Sequence, residues 1–140
     1  MKSLTWKLHL KSSPVRVFYF LNTDWGRKQF WAENAQQQGD QIAFEFSNGQ
    51  KHTAHILEAK APDIFKVEYF NSLVSFELAA DGSGGTDLVL QSTNIPHADY
   101  QQTYAGWLSV LLALKAACDF RVDLRNHDPA RTWDQLYVDN

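Results

Sequence analysis

The histidines are the side chains whose chemistry is considered first, because imidazole binds transition metals and titrates near neutral pH. His52 and His55 form the closest pair, three residues apart in a segment with the two-residue period of a β-strand. Side chains at that spacing on a strand point to opposite faces, so this pair cannot hold one ion. We therefore predict no metal site from the five histidines, which are His9, His52, His55, His97 and His127.

No other arrangement of reactive side chains predicts catalysis. The single cysteine, Cys118, falls on the apolar stripe of a C-terminal helix, where a buried structural thiol is expected. The glycines between Gly82 and Gly85 lie in a turn without a following helix, so no helix N-terminus is available for phosphate. If His55 and Leu57 point inward, His55 would be an ionisable group able to titrate near neutral pH inside a hydrophobic cup. The sequence predicts no catalytic residue and no cofactor.

Composition limits the class of protein. The chain has 140 residues, a formal charge of -3, one cysteine, and nine Phe, five Tyr and five Trp side chains. This length suits one domain, a lone cysteine excludes a disulfide scaffold, and the acidic balance argues against nucleic-acid binding. The residues from Met1 to Lys7 alternate in polarity instead of forming a secretory signal, and no stretch has the length of a membrane span. We expect a cytoplasmic single domain rich in aromatic rings.

The N-terminal part of the chain predicts one strand and two short helices. Apolar and polar side chains alternate from Leu4 to Lys11, which is typical of a half-buried strand. Ser13 and Pro14 predict a helix start, because Ser caps free N–H groups and Pro loses nothing at the first helical position. Asp24 is expected to cap a second short helix, and the Gln-rich residues 36–40 are expected to form a loop.

The middle of the chain predicts an antiparallel meander. From Gln41 to Thr93 the hydrophobic period is two, and turn residues recur too often for helices to intervene. Asn48-Gly49 is the strongest hairpin signal, and Asn71-Ser72 marks another turn. We expect five strands here, which together with the first strand make a curved, six-stranded antiparallel sheet.

A long C-terminal helix is predicted from Tyr100 to about Arg121. Its apolar residues recur at alternating spacings of four and three, which places them on one stripe facing the core. Leu108 and Leu112 lie beside that stripe and need another cover. The tail, residues 127–140, is expected to supply it. Its apolar side chains have helical spacing at Trp133, Leu136 and Tyr137.

Asp99 and Gly106 lead to two further predictions about this helix. Asp99, with Gln102 three residues later, is expected to form a capping box at the helix start. Gly106 in the helix interior costs about 1 kcal/mol relative to Ala. Close packing against a strand or room for a ligand would offset that cost, and we expect close packing.

The order of these elements predicts an α+β fold whose sheet curls around the long helix, with two short helices after the first strand. A strongly twisted sheet cannot close its own concave face, so incomplete filling by the helix leaves a cavity. Most inward side chains must be core in a domain of this size, while Tyr69, Tyr104 and Trp107 favour the cavity because their polar atoms need partners. The candidate ligand-cavity residues are Phe44, Phe46, His55, Val67, Tyr69, Phe76, Leu78, Leu88, Tyr104, Trp107 and Leu111.

Motifs spread over nearly the whole chain are similar to those of a known superfamily. They are Ser13-Pro14-Val15-Arg16-Val17-Phe18, Gly85-Thr86-Asp87-Leu88, the helix motif of Tyr104, Gly106, Trp107, Leu111, Leu114 and Lys115, and the tail from Asp123 to Asp134. In this order they resemble the START-like or Bet v 1-like (SRPBCC) superfamily, and within it the homologues of the activator of the heat-shock-protein-90 ATPase. The resemblance implies a helix-grip domain over residues 1–126, with the tail, residues 127–140, packed on the same domain.

The resemblance implies a pocket but leaves three functions open, because the superfamily includes ligand carriers, polyketide cyclases and chaperone cofactors. We favour a non-catalytic domain that binds a small hydrophobic or amphipathic ligand between sheet and long helix. The first alternative is a protein-interaction or co-chaperone-like domain, monomeric or homodimeric, with Leu108 and Leu112 at its interface. The second alternative is a polyketide cyclase or dehydratase that uses Tyr69, Tyr104 or His55 as acid or base.

Overall fold

The computed structural model describes residues 1–140, which form a seven-stranded antiparallel sheet, two short helices and one long helix. The helices are α1 (Pro14–Asn22), α2 (Asp24–Lys28) and α3 (Tyr100–Phe120). The strands are β1 (Lys2–Leu10), β2 (Asn34–Gln38), β3 (Gln41–Glu45), β4 (Lys51–Lys60), β5 (Ile64–Tyr69), β6 (Ser72–Ala80) and β7 (Thr86–Ile95). They are adjacent in the order β1-β7-β6-β5-β4-β3-β2. The predicted α+β architecture, a curved antiparallel sheet with a long C-terminal helix, is confirmed.

The predicted number of six strands is wrong, because the Gln-rich segment is not a loop. Residues 34–38 form β2 and pair with β3 from Asn34 opposite Glu45 to Gln38 opposite Gln41. Only Ala35 of this strand is buried, so hydrophobic alternation could not reveal it. Backbone pairing alone makes β2 a strand, and its polar side chains suit an edge position.

The two short helices follow the predicted start signals with one correction. Ser13 caps α1, where its Oγ accepts the backbone N–H of Arg16 at 3.2 Å. The cap of α2 is Thr23 rather than Asp24, because the Thr23 Oγ1 atom accepts the Gly26 N–H at 3.0 Å. Asp24 instead begins the helix and pairs with a buried cation one turn later.

That cation is Arg27, the largest side chain that is fully buried. Its guanidinium donates to the backbone oxygens of Leu21 and Ala35, both at 3.1 Å, and to Asp24 Oδ1 at 2.5 Å. Burial lowers the pKa of Arg27, and the Asp24 carboxylate opposes this shift. Arg27 thereby connects the end of α1 to α2 and β2, which positions the segment that follows α2.

The long helix covers the inner face of the sheet with the predicted apolar stripe. Trp107, Leu111, Leu114 and Cys118 are buried on it, and burial raises the pKa of the Cys118 thiol to about 12. Asp99 makes no side-chain cap, so the predicted capping box is wrong; a 3-10 turn, His97–Asp99, precedes the helix instead. None of the helices has both the length and the apolar character needed to cross a membrane.

The tail returns across the domain through polar contacts. The carbonyl oxygen of Val138 accepts from Ser109 Oγ on α3, and Asn140 Oδ1 accepts from Ser47 Oγ in the β3–β4 turn at 2.5 Å. Asp134 Oδ1 accepts from the Asn48 side-chain amide at 3.1 Å in the same turn. These contacts hold the tail beside the N-terminal half of α3.

The predicted tail helix is wrong, and so is the cover it was expected to provide. Only a 3-10 turn forms, at Trp133–Gln135, and Leu136 is 93% exposed. Leu108 and Leu112 remain 40% and 48% exposed with the tail in place. The polar partners of the tail direct its path, so its apolar spacing does not decide which residues it covers.

Candidate functional site

A cavity of about 410 Å³ lies where the N-terminal half of α3, one end of the sheet and the tail meet. Its walls come from the link between α2 and β2, the β3–β4 and β5–β6 turns, the end of β7, Arg125, and the tail residues Trp133 and Asn140. Cavities that bind small molecules in proteins have volumes of about 300–1,000 Å³. This cavity is therefore large enough for a small organic ligand.

Three aromatic side chains that pack on one another, which we call the ring cluster, form one part of the apolar cavity wall: Trp31, Tyr69 and Trp107. Their ring centroids are 5.5 Å apart for Trp31 and Tyr69, 5.3 Å for Tyr69 and Trp107, and 5.9 Å for Trp31 and Trp107. The two tryptophans are almost completely buried. The ring cluster offers a rigid apolar surface on which a flat ligand can stack.

The polar atoms of the ring cluster lack regular hydrogen-bond partners. The Trp31 Nε1–H group is buried and makes no hydrogen bond. Burial raises the pKa of the Tyr69 phenol, and the nearby Trp31 N–H opposes this shift without reaching hydrogen-bond geometry. The Tyr69 hydroxyl therefore stays protonated over the physiological pH range.

The polar part of the cavity wall has little free charge. Arg125 is the one cationic side chain in the wall, and its guanidinium lies 3.0 Å from Asp123. Glu33 also lines the cavity and contacts His127 Nδ1 at 2.6 Å. The uncharged polar side chains around the opening include Asn48, Gln50, Asn71, Gln102, Thr103 and Asn140.

Gly106 contributes open space to the wall. A Cβ atom at this position would meet nothing nearer than Trp133 Cζ2, at 3.8 Å. The expected close packing against a strand is therefore wrong, and the glycine faces the cavity instead. The second explanation, room for a ligand, agrees with this geometry.

The structure places three of the eleven candidate residues in the cavity wall: Phe46, Tyr69 and Trp107. Six others are buried in the hydrophobic core instead of lining the cavity. These six are Phe44, Val67, Phe76, Leu78, Leu88 and Leu111. Alternation along a strand identifies the inner face, but it does not show which part of that face a helix covers.

The last two candidates, His55 and Tyr104, lie away from the cavity. His55 is exposed on the outer face, where its Nε2 atom lies 3.1 Å from Gln41 Nε2. A register shift between Ile56 and Glu58 interrupts the alternation of β4, which explains the ambiguous sequence pattern there. Tyr104 is 38% exposed and packs on Trp6 at 4.6 Å. Among the three acid–base candidates, only Tyr69 lines the cavity.

The residues that sequence reasoning missed come from loops and the tail. Trp31, Phe70, Arg125 and Trp133 all line the cavity. Trp31 carries a sequence signal, since it is an aromatic residue just after a helix, but nothing in its spacing indicates its partners. No group of three His, Cys, Asp or Glu side chains in the structure is arranged to hold a metal ion.

Comparison with solved structures finds the same arrangement of sheet and helix in several proteins. The protein SSP2350 from Staphylococcus saprophyticus has a TM-score of 0.76 and 15% identity, covering 89% of this chain and 96% of that one. The Aha1 dimer from Colwellia psychrerythraea has a TM-score of 0.75 and 21% identity, covering 86% of this chain and 98% of that one. DynU16, a protein of the dynemicin biosynthetic locus, has a TM-score of 0.73 and 14% identity, covering 88% of this chain and 49% of that one.

These likenesses define the fold alone, because the sequence identities are low. No family model matches the sequence, and no curated protein matches it. The chain shares the fold of the Aha1 and DynU16 structures, which agrees with the predicted curved antiparallel sheet and long C-terminal helix.

Proposed function

We propose that the protein binds a small hydrophobic or amphipathic ligand in the cavity between the sheet and α3, without catalysis. The cavity of about 410 Å³ beside the ring cluster is the observation that carries this proposal. Gly106 supports it, since this helix residue leaves open space where Ala would be the more stable choice. The uncharged polar side chains at the opening suit the polar end of an amphipathic molecule.

A binding screen on the full chain tests the proposal. Fatty acids, sterols and aromatic polyketides are the probes, with native mass spectrometry and thermal unfolding as the readouts. A ligand present at a hundredfold excess over its Kd stabilises the folded state by about 2.7 kcal/mol. We therefore expect at least one class of probe to form a one-to-one complex and to raise Tm by several degrees.

A matched pair of variants on α3 tests whether the ligand binds inside the cavity. Gly106→Leu puts a side chain into the cavity, whereas Ala105→Leu adds the same side chain at an exposed position one residue earlier. Binding should be lost in Gly106→Leu and retained in Ala105→Leu. The proposal is wrong if no probe binds, or if binding survives the filling of the cavity.

We also propose that the exposed leucines of α3 mediate contact with a second copy of this chain. Leu108 and Leu112 on α3 are 40% and 48% exposed, and Leu124, which follows the helix and lines the same surface depression, is 51% exposed. Contiguous apolar surface of this kind favours association. The structure from Colwellia psychrerythraea, which shares the fold, is a dimer. These two observations support a homodimer.

Sedimentation equilibrium tests the homodimer. The full chain is expected to associate with increasing concentration, and the double change Leu108→Lys with Leu112→Lys is expected to keep it monomeric. Val15→Lys is the control, since Val15 is an apolar residue of α1 that is 70% exposed. A full chain that stays monomeric at every concentration would contradict the proposal.

A further inference from the structure

The Tyr69 hydroxyl is a hydrogen-bond donor without a protein acceptor. The hydrogen bond formed at Tyr69 uses its backbone oxygen, which accepts from Ser72 Oγ at 3.1 Å, and none uses the hydroxyl. The polar atom beside the phenol belongs to Trp31, whose indole N–H can donate but cannot accept. The phenol proton must therefore be accepted by something outside the protein, and Tyr69 lines the cavity.

The wall offers no free positive charge to an anion. The Arg125 guanidinium donates to the Asp123 carboxylate through Nε and Nη2, and to two backbone carbonyls through Nη1 and Nη2. The other charged groups of the wall are the carboxylates of Glu33 and Asp99. A carboxylate or phosphate entering the cavity would lose its hydration without gaining a counter-ion, which is unfavourable.

We infer that the ligand is an uncharged, ring-bearing molecule with an oxygen acceptor at its buried end, and that this oxygen receives the hydrogen bond of the Tyr69 hydroxyl. The flat body of such a molecule would pack on the ring cluster. The inference rests on the proposed function and adds the chemical class of the ligand to it.

Three naphthalene derivatives of nearly equal size test separately whether the ligand needs an oxygen acceptor and whether it must be uncharged. They carry an acetyl, an ethyl or a carboxylate group at the same ring position, so they differ in acceptor and charge. Competition calorimetry with the full chain should give the tightest binding for the ketone. A neutral hydrogen bond corresponds to a preference of about threefold to tenfold over the ethyl compound. The carboxylate should bind at least about tenfold more weakly than the ketone.

Tyr69→Phe tests the assigned donor. It removes the hydroxyl and keeps the ring, so the affinity for the ketone should fall by about threefold to tenfold while that for the ethyl compound stays the same. Tyr100→Phe is the matched control, because Tyr100 lies on α3 outside the cavity wall. It should leave the preference for the ketone unchanged. If Tyr69 had a purely structural role, Tyr69→Phe would weaken the binding of the ketone and of the ethyl compound equally.

The outcomes distinguish this inference from the proposed function. If the carboxylate binds as tightly as the ketone, or if Tyr69→Phe keeps the preference for the ketone, the inference is wrong and the cavity still binds ligands. If a fatty acid or sterol binds and none of the naphthalenes does, the inference is again wrong while the proposed function stands. If neither set of probes binds, both are wrong.

Discussion

The imidazole of His52 lies almost parallel to the ring of Phe70, with centroids 4.0 Å apart and 11° between the planes. Its Nε2 atom also accepts the backbone N–H of Phe70 at 2.8 Å, so this nitrogen carries no proton. Phe70 lines the cavity with a φ of 50°, in the left-handed region that costs a non-glycine residue about 1–3 kcal/mol. The two contacts with His52 support this conformation.

Acidification is expected to release the Phe70 backbone. Burial lowers the pKa of His52, and Glu68 opposes that shift. The folded state favours the neutral His52 ring. The contribution of this contact to the free energy of unfolding is therefore complete above the ordinary histidine pKa of about 6.5, and it is lost as the pH falls through the lowered pKa of His52. The NMR shift of the Phe70 amide should therefore titrate together with the His52 ring.

The exposed His97 provides the control for this titration. His97→Gln should leave the movement of the Phe70 amide unchanged, and His52→Gln should abolish it. A Phe70 amide shift that does not change while the His52 ring titrates in the unaltered chain would contradict the assignment.

The tail is expected to respond to pH in the opposite direction through His127. Its Nδ1 and Nε2 atoms lie 2.6 Å from Glu33 and 2.7 Å from Asp123, so both nitrogens face carboxylates. Burial lowers the pKa of His127, and the charge of Arg125 also lowers it. The hydrogen bonds with Asp123 and Glu33 outweigh both effects, so the pKa of His127 is raised overall. The contribution of the protonated His127 to the free energy of unfolding is complete below about pH 6.5, and it is lost as the pH rises through the raised pKa of His127.

A comparison of stabilities at two pH values measures this effect. Chemical denaturation of the full chain and of His127→Gln should show the largest difference near pH 6 and a smaller one near about pH 9. His9→Gln is a suitable control, since His9 pairs with Asp81 far from the tail. A difference that is constant, or that grows with pH, would show that the His127 charge does not hold the tail.

Two helical glycines are expected to respond to Ala in opposite ways. Gly106→Ala should stabilise the fold by up to about 1 kcal/mol, because Ala is the better helix former and its methyl group meets open space. Gly26→Ala should destabilise it by about 2 kcal/mol or more, because its Cβ would lie 2.4 Å from Phe20 Cα. Urea denaturation measures both changes, and effects of the same sign would refute this account of the two sites.

Arg27 is expected to be the charged residue on which folding of the α1–α2 corner depends. Arg27→Met leaves the carbonyl groups of Leu21 and Ala35 without donors, at about 1–3 kcal/mol for each buried group. We therefore expect a loss of about 2–5 kcal/mol in the free energy of unfolding. Lys28→Met, at the exposed neighbouring position, should change it by less than about 0.5 kcal/mol. Equal stability of the two variants would disprove the structural role of Arg27.

The sequence by itself determined the elements whose burial is periodic or whose ends have specific chemistry. The alternation in β1, the start of α1 at Ser13 and Pro14, and the apolar stripe of α3 all follow from local spacing. Asn48-Gly49 likewise produced the expected turn, with Gly49 at a φ of 87°. These features depend on neighbours a few residues apart, so a single sequence is enough to predict them.

The tertiary structure alone decided what lies on the inner face of the sheet. β2 forms because its backbone meets β3, the tail follows the polar partners of His127 and Asn140, and Gly106 faces space because no strand reaches it. Trp31 contacts Tyr69 beside the corner where Arg27 holds α2 to β2. The contacts of His127, Asn140 and Trp31 join segments distant in sequence. The β2–β3 hairpin is local, but the polar side chains of β2 have no hydrophobic period that would predict a strand. Whether an inward ring becomes core or cavity wall depends on which helix covers it, and packing between distant segments decides that.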